Sequence, residues 1–123
     1  MKIAVTASGN TPESLADPRF RVASNLIVCD TEKNCWEGHL ILRGQDKKTL
    51  SRHTVRFVQQ IKPDVLLTGY IDSTSFKRLT GSGIRIYSIS ETGVAGAFAE
   101  FRQGRLNQMQ TANAVDADQL AIK

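Results

Sequence analysis

The sequence predicts an α/β protein with a mixed sheet of about five strands, one of them antiparallel to the rest. The first observation is the run Val65-Leu66-Leu67, which is short and continuously apolar, as in a strand covered on both faces. The second is the alternating segment 84–89, which follows one helix later and completes a parallel β-α-β unit. The third is a polar turn over 31–34 between two strands, which predicts an antiparallel hairpin.

The helix inside the β-α-β unit has defined ends. Asp72 is placed to accept a backbone N–H bond as the N-cap, and Ile71 and Phe76 lie at the two ends of a hydrophobic staple. The apolar pattern continues through Leu79 and ends in the Gly-Ser-Gly sequence at 81–83. The helix is therefore predicted to begin directly after Asp72.

The first part of the chain supplies three further strands. Residues 3–6 are predicted to form the first strand, and a polar loop over 7–22 follows it. Residues 25–30 and 35–43 form the two strands of the hairpin. One face of the second of these is expected to enter the core; it carries Trp36, Leu40 and Leu42.

Two more helices are predicted outside this unit. One begins after Gly44-Gln45-Asp46, where Asp46 is expected to cap it, and it ends at Lys62-Pro63. The other begins at Thr92-Gly93, and Gly104 fits its C-terminal cap.

Composition narrows the class of protein. The 123 residues suit one domain, which we expect over 1–106, with a loosely attached tail over 107–123. The net charge of +4 favours an anionic ligand or partner without requiring nucleic acid. Two cysteines are too few for a disulfide scaffold, and neither a signal-peptide pattern nor a membrane-length apolar run is present, so we expect a cytoplasmic protein.

Three loops are expected to converge at the carboxyl edge of the parallel strands: 8–22, 69–73 and 88–93. Two helix N-termini point their N–H groups and positive dipole ends at this edge, and Arg19 and Arg21 lie in the first loop. Such a pocket suits an anion. The alternative is that the loops only close the fold and that both arginines are solvated.

No catalytic motif is present in the sequence. The carboxylates are scattered, and there is no Gly-rich phosphate loop, nucleophile elbow or His-x-x-x-His pair. His53, at the margin of the first helix's apolar stripe, is either a half-buried surface histidine or a ligand to a soft metal. Cys29 and Cys35 lack Cys-x-x-Cys spacing and are expected to be buried structural thiols.

Several motifs together resemble a known family. They are Met-Lys-Ile-Ala-Val at 1–5, Asp-Pro-Arg-Phe at 17–20, Asp-Val at 64–65, Gly-Ile-Arg-Ile-Tyr at 83–87 and Gly-Arg-Leu at 104–106. In order and spacing the chain resembles the dinitrogenase iron–molybdenum cofactor biosynthesis family, the NifX/NafY-like group that includes the orange protein of sulfate reducers. The resemblance implies a ribonuclease-H-like three-layer fold without nuclease activity. It also implies non-covalent binding of anionic molybdenum-containing metal–sulfur clusters.

We therefore expect an accessory protein that binds and carries such a cluster, of the iron–molybdenum or molybdenum–copper type, and not an enzyme. The alternatives are a ribonuclease-H-like metal-dependent nuclease and a protein-interaction module without a cofactor. Protein partners in cofactor transfer are expected, whereas nucleic acid and membranes are not. His53 is the candidate metal ligand, and the expected cluster-binding residues follow the first and fourth strands: Ser8, Asn10, Arg19, Arg21, Tyr70, Ile71, Asp72 and Ser73.

Overall fold

The computed structural model describes residues 1–41, 49–90 and 92–113. In these residues six strands form one sheet in the order β3-β2-β1-β4-β5-β6, together with three helices. The elements in chain order are β1 (Lys2–Ala7), β2 (Asn25–Asp30), β3 (Cys35–Leu40), α1 (Leu50–Ile61), β4 (Val65–Thr68), α2 (Ser73–Gly81), β5 (Arg85–Ser88), α3 (Val94–Arg102) and β6 (Asn107–Gln108).

The centre of the sheet is parallel. β1 pairs in parallel with β4, and β4 pairs in parallel with β5, with Leu66 opposite Ala4 on one side and Ile86 on the other. β2 pairs antiparallel with both β1 and β3. The predicted β-α-β unit and the hairpin are confirmed. β5 is parallel to β1 and is separated from it by β4.

The strand count was predicted one too low. β6 pairs antiparallel with the edge of β5, with Asn107 opposite Ser88 and Gln108 opposite Tyr87. The Met109 amide then donates to the Ile86 carbonyl at 2.7 Å. Within the described residues the sheet therefore has six strands, and β6 is a second antiparallel member. Because Asn107 and Gln108 are both polar, β6 has no apolar alternation that would reveal it in the sequence. It forms by pairing with the free backbone groups of β5.

Each central strand contributes to two cores, because successive side chains point to opposite faces. Ile3 and Val5 of β1 face the layer formed by α3, whereas Ala4 faces the layer formed by α1 and α2. In β4, Leu67 and Leu66 divide in the same way. Burial on both faces explains why the run at 65–67 is continuously apolar.

The prediction for the face of β3 is right at one end only. Trp36 packs edge-on against Phe98 of α3, with ring centroids 4.4 Å apart. Leu40 is 61% exposed, while Ile41, on the other face, is buried. The predicted core residue Leu40 is therefore wrong, because α3 covers only the Trp36 end and the backbone of Asn10 crosses over Gly38. Leu42 and Arg43 lie outside the described residues.

The helix ends largely follow the sequence. Asp72 caps α2, since its Oδ2 accepts the Ser75 amide at 3.1 Å. Lys62, with φ 55°, ends α1, and Gly104, with φ 72°, follows α3 as predicted. The residue at the N-cap of α1 is Thr49, and the predicted cap Asp46 lies outside the described residues.

Candidate anion-binding site

The segment 14–20 crosses the carboxyl ends of β1 and β4. The Asp17 amide donates to the Thr6 carbonyl at 2.9 Å. The amides of Gly69 and Tyr70 both donate to the Pro18 carbonyl, at 2.8 and 2.6 Å. The first loop therefore lies over the ends of these two strands, as the sequence predicts.

The same segment is joined to the start of α3. The Ala16 amide donates to the Thr92 carbonyl at 2.9 Å, and the Val94 amide donates to the Ser14 carbonyl at 2.9 Å. Leu15, between these two anchors, is 67% exposed. All three converging loops are thus brought together at one edge of the sheet.

Two buried threonines support this crossing from below. The Thr6 hydroxyl donates to the Asp17 carbonyl at 2.6 Å, and its oxygen lies 2.9 Å from the Thr68 hydroxyl. The Thr68 hydroxyl in turn reaches the Pro18 carbonyl at 3.4 Å. A satisfied buried network of this kind holds the loop backbone in one position.

Gly69 is required by the closeness of the loop to β4. A β-carbon at Gly69 would lie 2.9 Å from the Pro18 carbonyl oxygen and closer still to the Pro18 side chain. The loop cannot move away from such a β-carbon, because the Pro18 carbonyl accepts the amides of Gly69 and Tyr70. A larger residue would therefore push the loop off the strand ends.

A cavity of about 680 Å³ opens where the loops meet. Its walls, as far as the described residues form them, combine apolar surface with one guanidinium and one carboxylate. The lining residues are Ser8, Leu15, Ala16, Asp17, Pro18, Arg19, Tyr70, Thr92 and Gly93.

Asp17 and Arg19 form an ion pair at the cavity. The guanidinium Nε donates to Asp17 Oδ1 at 3.0 Å, and Nη2 donates to Oδ2 at 3.1 Å. The carboxylate raises the pKa of Arg19, first through these hydrogen bonds and then through its charge. The Asp17 side chain is 9% exposed and that of Arg19 is 67% exposed, so the carboxylate is the buried partner that orients the guanidinium.

Three of the expected cluster-binding residues line the cavity: Ser8, Arg19 and Tyr70. The Ser8 hydroxyl is partly engaged, since it donates to the Leu15 carbonyl at 3.1 Å. Tyr70 is 57% exposed and stands opposite Arg19 on the parallel bridge that joins the two residues.

Five expected residues do not line the cavity. Ile71 is buried in the core against α1 and α2, and Asp72 is used as the α2 cap. Ser73 is the first residue of α2. Asn10 lies over Gly38, and the Arg21 carbonyl accepts a long bond of 3.5 Å from Thr54 on α1.

His53 lies half-buried on α1 and is not part of the cavity lining. Among residues 1–41, 49–90 and 92–113, no group of three or more His, Cys, Asp or Glu side chains is placed to hold a metal ion. Asp17 is the one carboxylate among the described lining residues, so the two-metal nuclease alternative finds no ligand pair there.

The two cysteines lie at the opposite edge of the sheet. β2 ends at Asp30, opposite Lys2 at the start of β1, and Cys35 pairs with Asp30. Cys29 is buried, and burial raises the pKa of its thiol. The expectation that both thiols are buried is wrong for Cys35, which is exposed because it begins an edge strand.

Sequence reasoning missed six lining residues: Leu15, Ala16, Asp17, Pro18, Thr92 and Gly93. A local signal existed for Asp17: it precedes Arg19 by two residues, and its Oδ1 accepts the Arg19 amide at 3.0 Å. This is the Asx-turn geometry that aspartate favours before a turn. Leu15 carried no such signal, since its exposure depends on anchors at Thr92 and Val94 far along the chain.

Comparisons with known proteins agree with this architecture. A solved structure of the apo form of the orange protein from Desulfovibrio gigas superposes with a TM-score of 0.81 at 27% identity, covering 91% of this chain and 95% of that one. A Thermotoga protein provisionally described as NifB superposes with a TM-score of 0.74 at 22% identity, covering 91% of this chain and 96% of that one. The second likeness concerns the fold alone. The search of curated proteins returned no match.

None of the helices in the described part of the chain is long and apolar enough to cross a membrane. The family model for the dinitrogenase iron–molybdenum cofactor matches residues 1–104, which include every described residue that lines the cavity. The chain therefore belongs to the dinitrogenase iron–molybdenum cofactor family.

Proposed function

We propose that this protein binds and carries an anionic, molybdenum-containing metal–sulfur cluster of the iron–molybdenum or molybdenum–copper type. It does so non-covalently, as an accessory protein and not as an enzyme, on a ribonuclease-H-like fold. Family membership over residues 1–104 supports this function. The observation that carries the proposal is the cavity, where one oriented guanidinium stands among apolar walls beside the start of α3.

Arg19 is the residue we assign to attracting the cluster. A guanidinium is planar and weakly hydrated, so it pairs with a large anion at small desolvation cost. Two of its nitrogens are held by Asp17, while Nη1 has no hydrogen-bond partner in the described residues. Asp17 also offsets the charge, so attraction depends on this one side chain and on the positive end of α3 rather than on a broad positive field.

The apolar walls suit the surface of a thiometalate. Leu15 and Tyr70 expose large apolar groups at the cavity, and sulfide is soft and polarizable, so dispersion contacts add to the ionic attraction. Neither Cys nor His is among the described lining residues. A cluster bound here would bring its own sulfide ligands, already assembled.

The same proposal includes delivery. A cluster held by charge and apolar contacts, without thiolate bonds, is released without breaking metal–protein bonds, which suits transfer to a partner protein in the cytoplasm. His53 is a separate candidate for direct metal contact outside the cavity lining. If the visible spectrum of the bound cluster is unchanged in His53→Ala, His53 does not contact the metal.

The test is reconstitution with tetrathiomolybdate and copper or iron salts, followed by visible absorption and metal analysis. Arg19→Ala should weaken binding about tenfold, and more at about 0.02 M than at about 0.5 M salt, because screening removes the electrostatic part. Arg105→Ala is the matched control, since it removes an exposed positive charge beyond the far end of α3. Equal effects of the two variants, or no charge-transfer bands with the wild type, would refute the proposed site.

A further inference from the structure

β4 continues beyond Thr68 as a strand-like segment at 69–71. On one side the Tyr70 amide donates to the Pro18 carbonyl at 2.6 Å, and the Tyr70 carbonyl accepts the Phe20 amide at 3.0 Å. The Gly69 carbonyl and both polar backbone groups of Ile71 point to the other side, where β5 has already ended at Ser88.

Asn113 occupies that other side. Its Oδ1 accepts the Ile71 amide at 2.9 Å, and its Nδ2 donates to the Gly69 carbonyl at 2.6 Å. Its own amide donates to the Ile71 carbonyl at 3.2 Å. One residue thus supplies the bonds that a neighbouring strand would make to 69–71.

The position of Asn113 follows from β6. Pairing of Asn107 and Gln108 with β5, and of the Met109 amide with Ile86, brings the chain to the carboxyl edge of the sheet. The family model matches residues 1–104, so this segment lies outside the matched region. It nevertheless reaches the turn that carries Tyr70, a wall of the cavity.

We propose that Asn113 is a positioning residue for the cavity: it clamps 69–71 so that Tyr70 is held as the wall opposite Arg19. This inference rests on the proposed function for its ligand. The clamp requires a donor and an acceptor on one short side chain, which an amide provides and a carboxylate does not. The 18–20 loop and Asn113 hold Tyr70 from its two sides, and removal of either partner frees the wall.

The test compares full-length Asn113→Ala with Gln110→Ala, a matched control at an exposed position of the same segment. In Asn113→Ala, exchange of the Ile71 amide should be about tenfold faster, since that amide loses its acceptor. Exchange at Val5 and the urea midpoint should change little. The dissociation constant for tetrathiomolybdate should rise about threefold to tenfold, with an altered visible spectrum of the bound form.

Asn113→Asp keeps an acceptor for Ile71 but places an oxygen against the Gly69 carbonyl, so it should not restore wild-type binding. Unchanged Ile71 exchange in Asn113→Ala would overturn the clamp. Faster exchange with unchanged affinity and spectrum would overturn its role at the cavity. If the wild-type protein fails to bind tetrathiomolybdate, the proposed function is refuted instead. The clamp is then still tested by the Tyr70 ring resonances, which should shift in Asn113→Ala but not in Gln110→Ala.

Discussion

The starts of α2 and α3 lie at the same edge of the sheet, and both were predicted to offer N–H groups to an anion. At α2 the protein supplies the negative group itself, because the Asp72 carboxylate accepts the Ser75 amide and hydroxyl at 3.1 and 2.7 Å. At α3 the N-cap is Gly93, which has no side chain to cap the helix, and this residue lines the cavity.

We infer from this difference that a helix start attracts an external anion only where the chain has not already provided a negative group. The dipole of α2 is complemented by Asp72, and the neighbouring Ile71 amide is bound by Asn113. The dipole of α3 points at the cavity beside Arg19, with no acidic residue in its described first turn. We therefore propose that the anion site is narrower than the sequence suggested and lies on the α3 side.

The largest effect should come from Gly69, the glycine before α2, when it is compared with Gly93, the glycine before α3. Gly69→Ala should lower the free energy of unfolding by about 2–3 kcal/mol, because the new methyl group meets the Pro18 backbone. Gly93→Ala should cost less than about 1 kcal/mol, since its β-carbon would lie 3.9 Å from the Ser14 carbonyl and only cap preference is lost. Urea unfolding measures both. Equal losses would mean that the two helix starts are packed alike.

A change of intermediate size should convert the α3 start into the α2 type. Gly93→Asp adds a capping carboxylate in the cavity and should weaken tetrathiomolybdate binding about tenfold, through repulsion of the anion. Gly93→Asn caps the helix with a neutral side chain of the same shape and is the matched control. Titrations followed by visible absorption compare them. Equal affinity of the two variants would show that the anion does not sit at this helix start.

The smallest effect is expected at the opposite edge of the sheet. Replacing Cys29 and Cys35 together by Ser should change tetrathiomolybdate affinity less than about twofold, because neither thiol reaches the cavity. A cysteine contributes to binding a metal cluster through a thiolate–metal bond, which requires such contact. Circular dichroism checks that the variant folds. A folded double variant that binds nothing, while Arg19→Ala binds normally, would establish thiolate ligation in place of our site.

Local signals predicted a large part of this molecule. The Asp72 cap, the apolar run at 65–67 and the glycine at 104 depend on neighbours a few residues away, so their patterns are complete within a short window. The convergence of the loops followed from the rule that parallel strands share a carboxyl edge. Arg19 and Tyr70 were expected at the cavity for that reason, and both line it.

The features that were not predicted depend on distant partners. β6 forms on the free edge of β5, and Asn113 completes a backbone ladder that the sequence does not reveal. Leu40 fits the core face of its strand, but its exposure is set by the short reach of α3. Arg21 shares the loop of Arg19, yet the turn after Phe20 directs its backbone towards α1.

The central claim is that an anionic thiometalate binds at the carboxyl edge, between the 15–19 segment and the start of α3. The most direct measurement is an amide chemical-shift titration of the wild-type protein with tetrathiomolybdate alone. Our account predicts that the largest shifts occur at Asp17, Arg19, Tyr70 and Gly93, with little change in the hairpin. Largest shifts around Cys29 and Cys35, at the other edge of the sheet, would contradict it.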